Sequence, residues 1–525
     1  MLGHSHLLLA LSSIPAALGT SIPALDAAQT NAARIFNSVH DAFRQWGSSV
    51  HHNGVAVLPV VVPAGSIFYH GCQLSERRTS GLEWLAFEPE HAAGFGRSRE
   101  GDSRWPAPNP PEDANISTQQ VFVPPESFVR GYFHTYRATR SLKLVYFDGM
   151  SAANMDVGTM DTQDRVVLDG WSGDDDYDDW IRADKICSLG KQSWGGLDGI
   201  VRMEAGFELI YCDFSEGLEL VSLVGSPFSN ETTGQANPRA PLGLFEWMRA
   251  TAQRYDGFDP RRVEVDWSAM VSAFWYSGVN TTNLDVTRPE LPGLASNLQS
   301  ALRPIGKRIG EVFSQQRDPR AAIHWQAVTD RIVTFFGPRI DALSLPSAST
   351  ATLRGQLDSI FNSFINFAKP RSTQNNTISA CATRHLDEYR LQQNYWTTED
   401  KMIFAALETV TTHICHELFE IRALLDPPRE ENKQSVKTRA ERLVVWLDWA
   451  RRRRCADNCE SDGKLCFVSG FEQLRMERPL TVELRLRCFR LAHERITTRP
   501  AVRMRTRSSG AQDNLGIEGL RFAQI

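Results

Sequence analysis

The stretch AGSIFYHGC, residues 64–72, ends an apolar and aromatic run in a histidine followed at once by a glycine. Aromatic and β-branched residues bounded by Gly and Pro predict a strand, which places His70 at its mouth. Upstream, the run extends back through VAVLPVVV at 55–62. Downstream, SLKLVYFDG (141–149), DGIVRME (198–204) and FELIYCDF (207–214) carry the same signature. Helical patterns at 30–47 and 177–189 lie before and between these runs. This half therefore reads as α+β.

The second half reads as mainly helical. In TTEDKMIFAALETVTTHICHELFEIRALLDPP (397–428), Ile403, Leu407, Val410, Ile414, Leu418, Ile421 and Leu424 recur every three or four positions, which makes one buried helix face. Thr397 with Asp400 predicts a capping box, and Pro427 and Pro428 stop the helix. A linker-like stretch at 225–240 sets the boundary between an α+β domain at 24–225 and a helical domain at 226–450. A Cys-rich segment at 451–499 follows, then a disordered tail at 500–525.

At 525 residues the chain has room for several cores, and its 42% hydrophobic and 23% charged content is that of a soluble protein. A formal net charge of -5 argues against a nucleic-acid partner, which would need a basic surface to displace phosphate counterions. Residues 1–19 read as a signal peptide with an apolar centre from Leu7 to Leu18, and no later run is long enough to span a bilayer. Asn115, Asn230, Asn280 and Asn375 are Asn-x-Ser/Thr glycan acceptors. Together these features predict a secreted protein or one of the secretory lumen. There, Cys455, Cys459, Cys466 and Cys488 read as disulfide partners. The cysteines number nine, so one thiol is left over, with Cys72 and Cys415 as the candidates.

After the FYHG run comes GLEWLAFEPEHAAGF (81–95), where Trp84 and Phe95 stand eleven positions apart, and Glu208 lies within the strand FELIY. This order of parts resembles the ADP-ribosyltransferase family of the diphtheria-toxin and poly(ADP-ribose) polymerase type. There a His-Gly closes one strand, two tyrosines eleven positions apart hold the nicotinamide ring, and a strand glutamate completes the site. The resemblance covers about residues 55–215. It implies two small packed sheets, NAD as substrate, a protein or small-molecule acceptor, His70 and Glu208 as catalytic residues, and Gly71, Trp84 and Phe95 around the nicotinamide. Cleavage of the nicotinamide–ribose bond passes through an oxocarbenium-like state that a free carboxylate stabilises, and aromatic faces attract the cationic ring. Trp84 and Phe95 replace both tyrosines and so lack their hydroxyls. The alternative is a non-catalytic secreted or cell-surface interaction protein that keeps the fold without the chemistry.

The chain also resembles a group of uncharacterised secreted proteins of filamentous fungi, through EWLAFEPEHA, YFDGMSAAN and DGIVRMEAGFELI. Other constellations read more plainly. Ser151 in GMSAA has the spacing of a nucleophile elbow but lacks the apolar helix that braces one. His413, His416, Glu417 and Glu420 share a helix without the spacing of a zinc protease, and no metal is predicted. GDDDYDDW (173–180) lacks the alternation of a calcium loop and reads as a charged lead into a helix. Arg451–Arg454 read as a solvated helix end.

Overall fold

Ten strands form one sheet, nine of them along a single path, in the computed structural model, which describes residues 22–96, 98, 130–153, 157–171, 179–226, 250–251, 257, 261–285, 290–315, 317–345, 347–368 and 374–453, with strands at 464–467 and 487–490. They are β1 (Asn53–Val62), β2 (Ile67–Cys72), β3 (Glu83–Ala86), β4 (Tyr132–Ala138), β5 (Leu142–Gly149), β6 (Gly199–Met203), β7 (Phe207–Tyr211), β8 (Leu218–Gly225), β9 (Glu264–Val265) and β10 (Val271–Ser272). The order is β10-β1-β5-β6-β7-β3-β2-β4-β8, with β9 also on β1. The expected pair of small sheets is therefore corrected to one mixed sheet. The reason is β7, which pairs with β6 along one edge and β3 along the other and so joins what would be two sheets.

Among the described strand pairs only β5 and β6 run parallel. A parallel pair needs a crossover, supplied by a π-helical turn at Thr162–Val167 and a helix at Asp179–Ser193. Successive side chains of a strand face opposite ways. β6 and β7 are buried at every residue, so both of their faces are covered.

The helices are α1 (Leu25–Thr30), α2 (Ala32–Asp41), α3 (Gln45–Val50), α4 (Pro89–Ala93), α5 (Asp179–Ser193), α6 (Gln299–Ser314), α7 (Trp325–Ala342), α8 (Thr350–Phe361), α9 (Gln374–Thr383), α10 (Asp387–Arg390), α11 (Thr398–Leu424) and α12 (Lys433–Leu447). α11 starts as its sequence requires: the Asp400 amide donates to Thr397 Oγ1 and the Thr397 amide to Asp400 Oδ2, each at 3.0 Å. Ile403, Leu407, Val410, Ile414, Leu418 and Ile421 are all buried.

The N-terminal helices pack against α11, and one cluster of buried apolar side chains runs from Ala28 to Trp449. Asn37 Nδ2 donates to the Leu447 carbonyl at 3.0 Å and Trp46 Nε1 to the Ala450 carbonyl at 3.1 Å. Buried Asp41 sits beside these contacts, with His40 and His51 each 2.7 Å from one of its oxygens. The other ring nitrogen of His51 is 3.2 Å from Asp448. Burial opposes charge on His51, but Asp41 and Asp448 outweigh it and raise its pKa to about 9. Burial likewise opposes charge on Asp41, yet its two histidines hold it well below the usual carboxylate range. The expected domain boundary falls next to residues 227–249, outside the described set.

Two disulfides are present among the described residues: Cys187–Cys212 ties α5 to the end of β7, and Cys381–Cys415 ties α9 to α11. Cys415 is thus bonded rather than free, because it lies on the buried side of α11 that faces α9. Cys72 is the free thiol of the described set. A short antiparallel pair, β11 (Lys464–Phe467) and β12 (Arg487–Arg490), sets Cys466 opposite Cys488 in register. Cys455 and Cys459, with residues 1–21 and 491–525, lie outside the described residues. No described helix is long and apolar enough to cross a membrane.

Candidate functional site

Trp84 is the hub of the cluster around Glu208. It lies on β3, whose Ala86 is in register with Glu208 on β7. Side chains two residues apart share a face, which brings the indole over the carboxylate. Trp84 Nε1 donates to Glu208 Oε2 at 2.5 Å. The Trp84 ring meets Phe95 at 4.7 Å between centroids, His91 at 5.2 Å edge-on and His70 at 6.4 Å. His70 Nδ1 lies 2.7 Å from the Trp84 carbonyl. The four side chains singled out from the sequence, His70, Trp84, Phe95 and Glu208, therefore stand together.

Gly71 follows His70 for a steric reason. A Cβ there would lie 2.2 Å from the Ala92 carbonyl oxygen and 2.4 Å from the Gly96 amide nitrogen. The chain leaving α4 thus rests directly on the β2 backbone, and no larger residue fits.

Glu208 is 3% exposed. Its Oε1 accepts from Arg202 Nε at 3.0 Å and from Nη2 at 2.7 Å. Arg202, on β6 and in register with Glu208, also reaches Asp179 at 3.1 and 3.2 Å. Asp179 is shared with Arg182, which continues to Asp164 at 2.6 Å. Burial disfavours charge on Arg202, but Asp179 and Glu208 reverse that and hold its pKa above the ordinary value. Burial also works against Asp179, and Arg202 and Arg182 nevertheless keep its pKa below the usual value. Glu204 next door has no such partner among the described residues. Burial, with Glu208 and Asp179 nearby, raises its pKa well above a normal glutamate.

The histidines are pushed toward the neutral form. Burial lowers His70 and takes His91 down to about 4. His70 Nε2 and His91 Nε2 are buried and make no hydrogen bond among the described residues. His134, in register with His70 on the neighbouring β4, is satisfied by Tyr136 Oη at 3.2 Å and the Leu74 carbonyl at 2.9 Å.

Two geometric facts bear on chemistry. An aromatic pair that grips a third ring needs its faces about 7 Å apart, two contact distances of about 3.5 Å, whereas Trp84 and Phe95 touch each other. A carboxylate that stabilises a passing cation must have an oxygen to offer it, whereas both oxygens of Glu208 are engaged.

The rival constellations resolve simply. Ser151 is buried and donates to the Phe147 carbonyl at 2.8 Å, a local backbone contact. Glu417 accepts from Arg439 at 2.7 Å, and the His413 ring packs at a tilt against Trp446, 4.2 Å between centroids. Among the described residues no group of three or more His, Cys, Asp or Glu is placed to hold a metal ion. Asp179, read as part of a solvated acidic run, is a partner in the buried network. Arg451 and Arg452 both pair with Asp341, and Arg453 pairs with Asp448, so this helix end is bound rather than merely solvated. Asn280 and Asn375 are exposed; Asn115 and Asn230 lie outside the described residues.

The family model of the YPL277C N-terminal domain matches residues 22–123 and 109–240, a span that contains the whole Glu208 cluster. The uncharacterized protein YPL277C of Saccharomyces cerevisiae is 34% identical over 379 residues, covering 60% of this chain and 75% of that protein. The chain belongs to the YPL277C family. A second Saccharomyces cerevisiae relative, the uncharacterized protein YOR389W, is 24% identical over 527 residues, covering 83% of this chain and 81% of the relative. No solved structure matches. The described part of the YPL277C-type region is the ten-stranded sheet less its two shortest strands, with helices α1 to α5.

Proposed function

We propose that this chain is a non-catalytic interaction protein, exported through the secretory route, in which an ADP-ribosyltransferase-like constellation serves as a structural stay. The observation that carries this reading is the double engagement of Glu208 by Arg202 and Trp84 at 3% exposure. A carboxylate neutralised by a guanidinium and shut from solvent has little left to offer a developing oxocarbenium ion. Export is supported by the two disulfides, which persist in oxidising compartments.

A second reading keeps NAD as a ligand, and one observation favours it. His70 Nε2 and His91 Nε2 are buried beside Trp84 with hydrogen-bonding capacity unused among the described residues, and buried polar groups are ordinarily satisfied. Titration calorimetry of the full chain with NAD at millimolar concentration separates the two. The structural reading expects no saturable heat. Saturable uptake that Trp84→Ala removes, with the fold intact by near-UV circular dichroism, would replace it with the NAD reading.

A further inference from the structure

On the far side of the chain from the motif residues in sequence, α7 sets Arg331, Phe335 and Arg339 at four-residue intervals, on one helix face. Arg384 and His385 follow the end of α9 and close on the same ring. The guanidinium carbon of Arg384 lies 3.9 Å from the centre of Phe335, and that of Arg339 lies 4.2 Å from it. Neither cation can be further from the other than those two distances laid end to end. Two like charges so close repel each other, and proteins ordinarily set a carboxylate between them.

Here none is supplied. Among the described residues, Arg339 and Arg384 have no carboxylate partner; Arg339 donates to the Phe335 carbonyl at 2.6 Å. The acids nearest in sequence to Arg384 are committed elsewhere. Asp387 accepts from Thr383 at 2.9 Å and stands 3.7 Å from Arg390, while Glu388 stands 3.8 Å from Arg331. His385 stacks edge-on to Phe335 at 5.4 Å, and its Nε2 is buried without a hydrogen-bond partner among the described residues. The ring attracts both guanidiniums, which leaves the N–H groups of Arg384, and those of Arg339 other than the one given to the Phe335 carbonyl, for an oxyanion.

We propose that Arg339, Arg384 and His385, gathered on Phe335, form a binding site for a phosphate group. Guanidinium forks match the spacing of phosphate oxygens, and a phosphate monoester dianion balances both cations at once where a single carboxylate balances one. The group can be borne by a soluble small molecule or by a lipid headgroup, and the chemistry of recognition is the same. The site is independent of the Glu208 cluster.

The test is titration calorimetry of the full chain with inorganic phosphate, ionic strength held constant with sodium chloride. Saturable uptake is expected, weakened at least tenfold in Arg384→Gln, weakened less in Arg384→Lys, and unchanged in Arg303→Gln, an exposed arginine paired with Asp169. A second arm uses phosphatidylcholine vesicles with and without phosphatidic acid. Co-sedimentation that needs phosphatidic acid and is lost in Arg384→Gln assigns the phosphate to a headgroup; uptake of free phosphate alone assigns it to a soluble molecule. Identical isotherms for the wild type and Arg384→Gln, or no saturable heat at constant ionic strength together with no vesicle binding, would overturn the proposal. Arg384 is exposed, so its variants are expected to fold, and near-UV circular dichroism checks that they do.

Discussion

Replacing Arg202 with methionine is the sharpest perturbation of the buried network. Arg202 is 2% exposed and holds Glu208 at 2.7 Å and Asp179 at 3.1 Å. In the variant, Asp179 keeps Arg182, but Glu208 retains only the Trp84 indole as a donor in the network described. Removing one partner of a buried ion pair costs about 3–5 kcal/mol, because the remaining charge stays desolvated. At roughly 2.1 cal/mol/K of unfolding entropy per residue, a chain of 525 residues converts each kcal/mol into about 1 °C of melting temperature, so a fall of about 3–5 °C is expected by scanning calorimetry. Glu208→Gln removes less, since Arg202 keeps Asp179. The double variant is expected to melt above Arg202→Met alone, with a coupling of about 1–3 kcal/mol. A change under about 2 °C for Arg202→Met, or strictly additive effects in the double variant, would refute the claim that this pair holds the sheet together.

Other expectations follow from the same reasoning. His51, raised to about 9 by Asp41 and Asp448, contributes stability that is complete below its unfolded value near 6.5 and fades as pH rises through 9. Asp41 contributes stability present above its unfolded value and lost in acid. His51→Gln should therefore flatten the alkaline limb of a stability–pH curve, by on the order of 3 kcal/mol across pH 6.5–9, and chemical denaturation at several pH values measures it. Loss of the Cys187–Cys212 bridge, whose partners are 25 residues apart, should lower stability by about 3 kcal/mol in the chain-entropy view, seen as an earlier unfolding midpoint in Cys187→Ala/Cys212→Ala. Asn280 is exposed in a loop beside exposed Thr282, whereas Asn375 lies on α9 with Thr377 buried and donating to the Phe364 carbonyl. Mass spectrometry of protein from a eukaryotic secretory host should find glycan at Asn280 and none at Asn375.

The strands and the long C-terminal helix were legible in the sequence because both are periodic signals. FYHG, LKLVYF, IVRM and FELIY became β2, β5, β6 and β7, and α11 begins at its capping box. His70, Trp84 and Glu208 were singled out together by the resemblance, and the register of β3 on β7 with the alternation within each strand accounts for Trp84 and Glu208 sharing a face. Joining of the strands into one sheet was not legible, because the pairing of β7 on both edges is a long-range choice that no local pattern encodes. The hint that sequence did offer was Arg202. A charge inside the apolar run IVRM must find a partner, and that partner is Glu208. Asp179 was hidden because an aspartate in an acidic run looks the same whether it faces water or an arginine. The pairing of Cys415 with Cys381 depends on how α9 lies against α11, which spacing does not give.

The central claim, that Glu208 is a structural partner of Arg202 and not a reaction centre, is tested most directly by nicotinamide release from millimolar NAD by the purified full chain, followed by chromatography alongside Glu208→Gln. The account predicts release no faster than in protein-free buffer for both proteins. Release by the wild type that Glu208→Gln abolishes while remaining folded would contradict it.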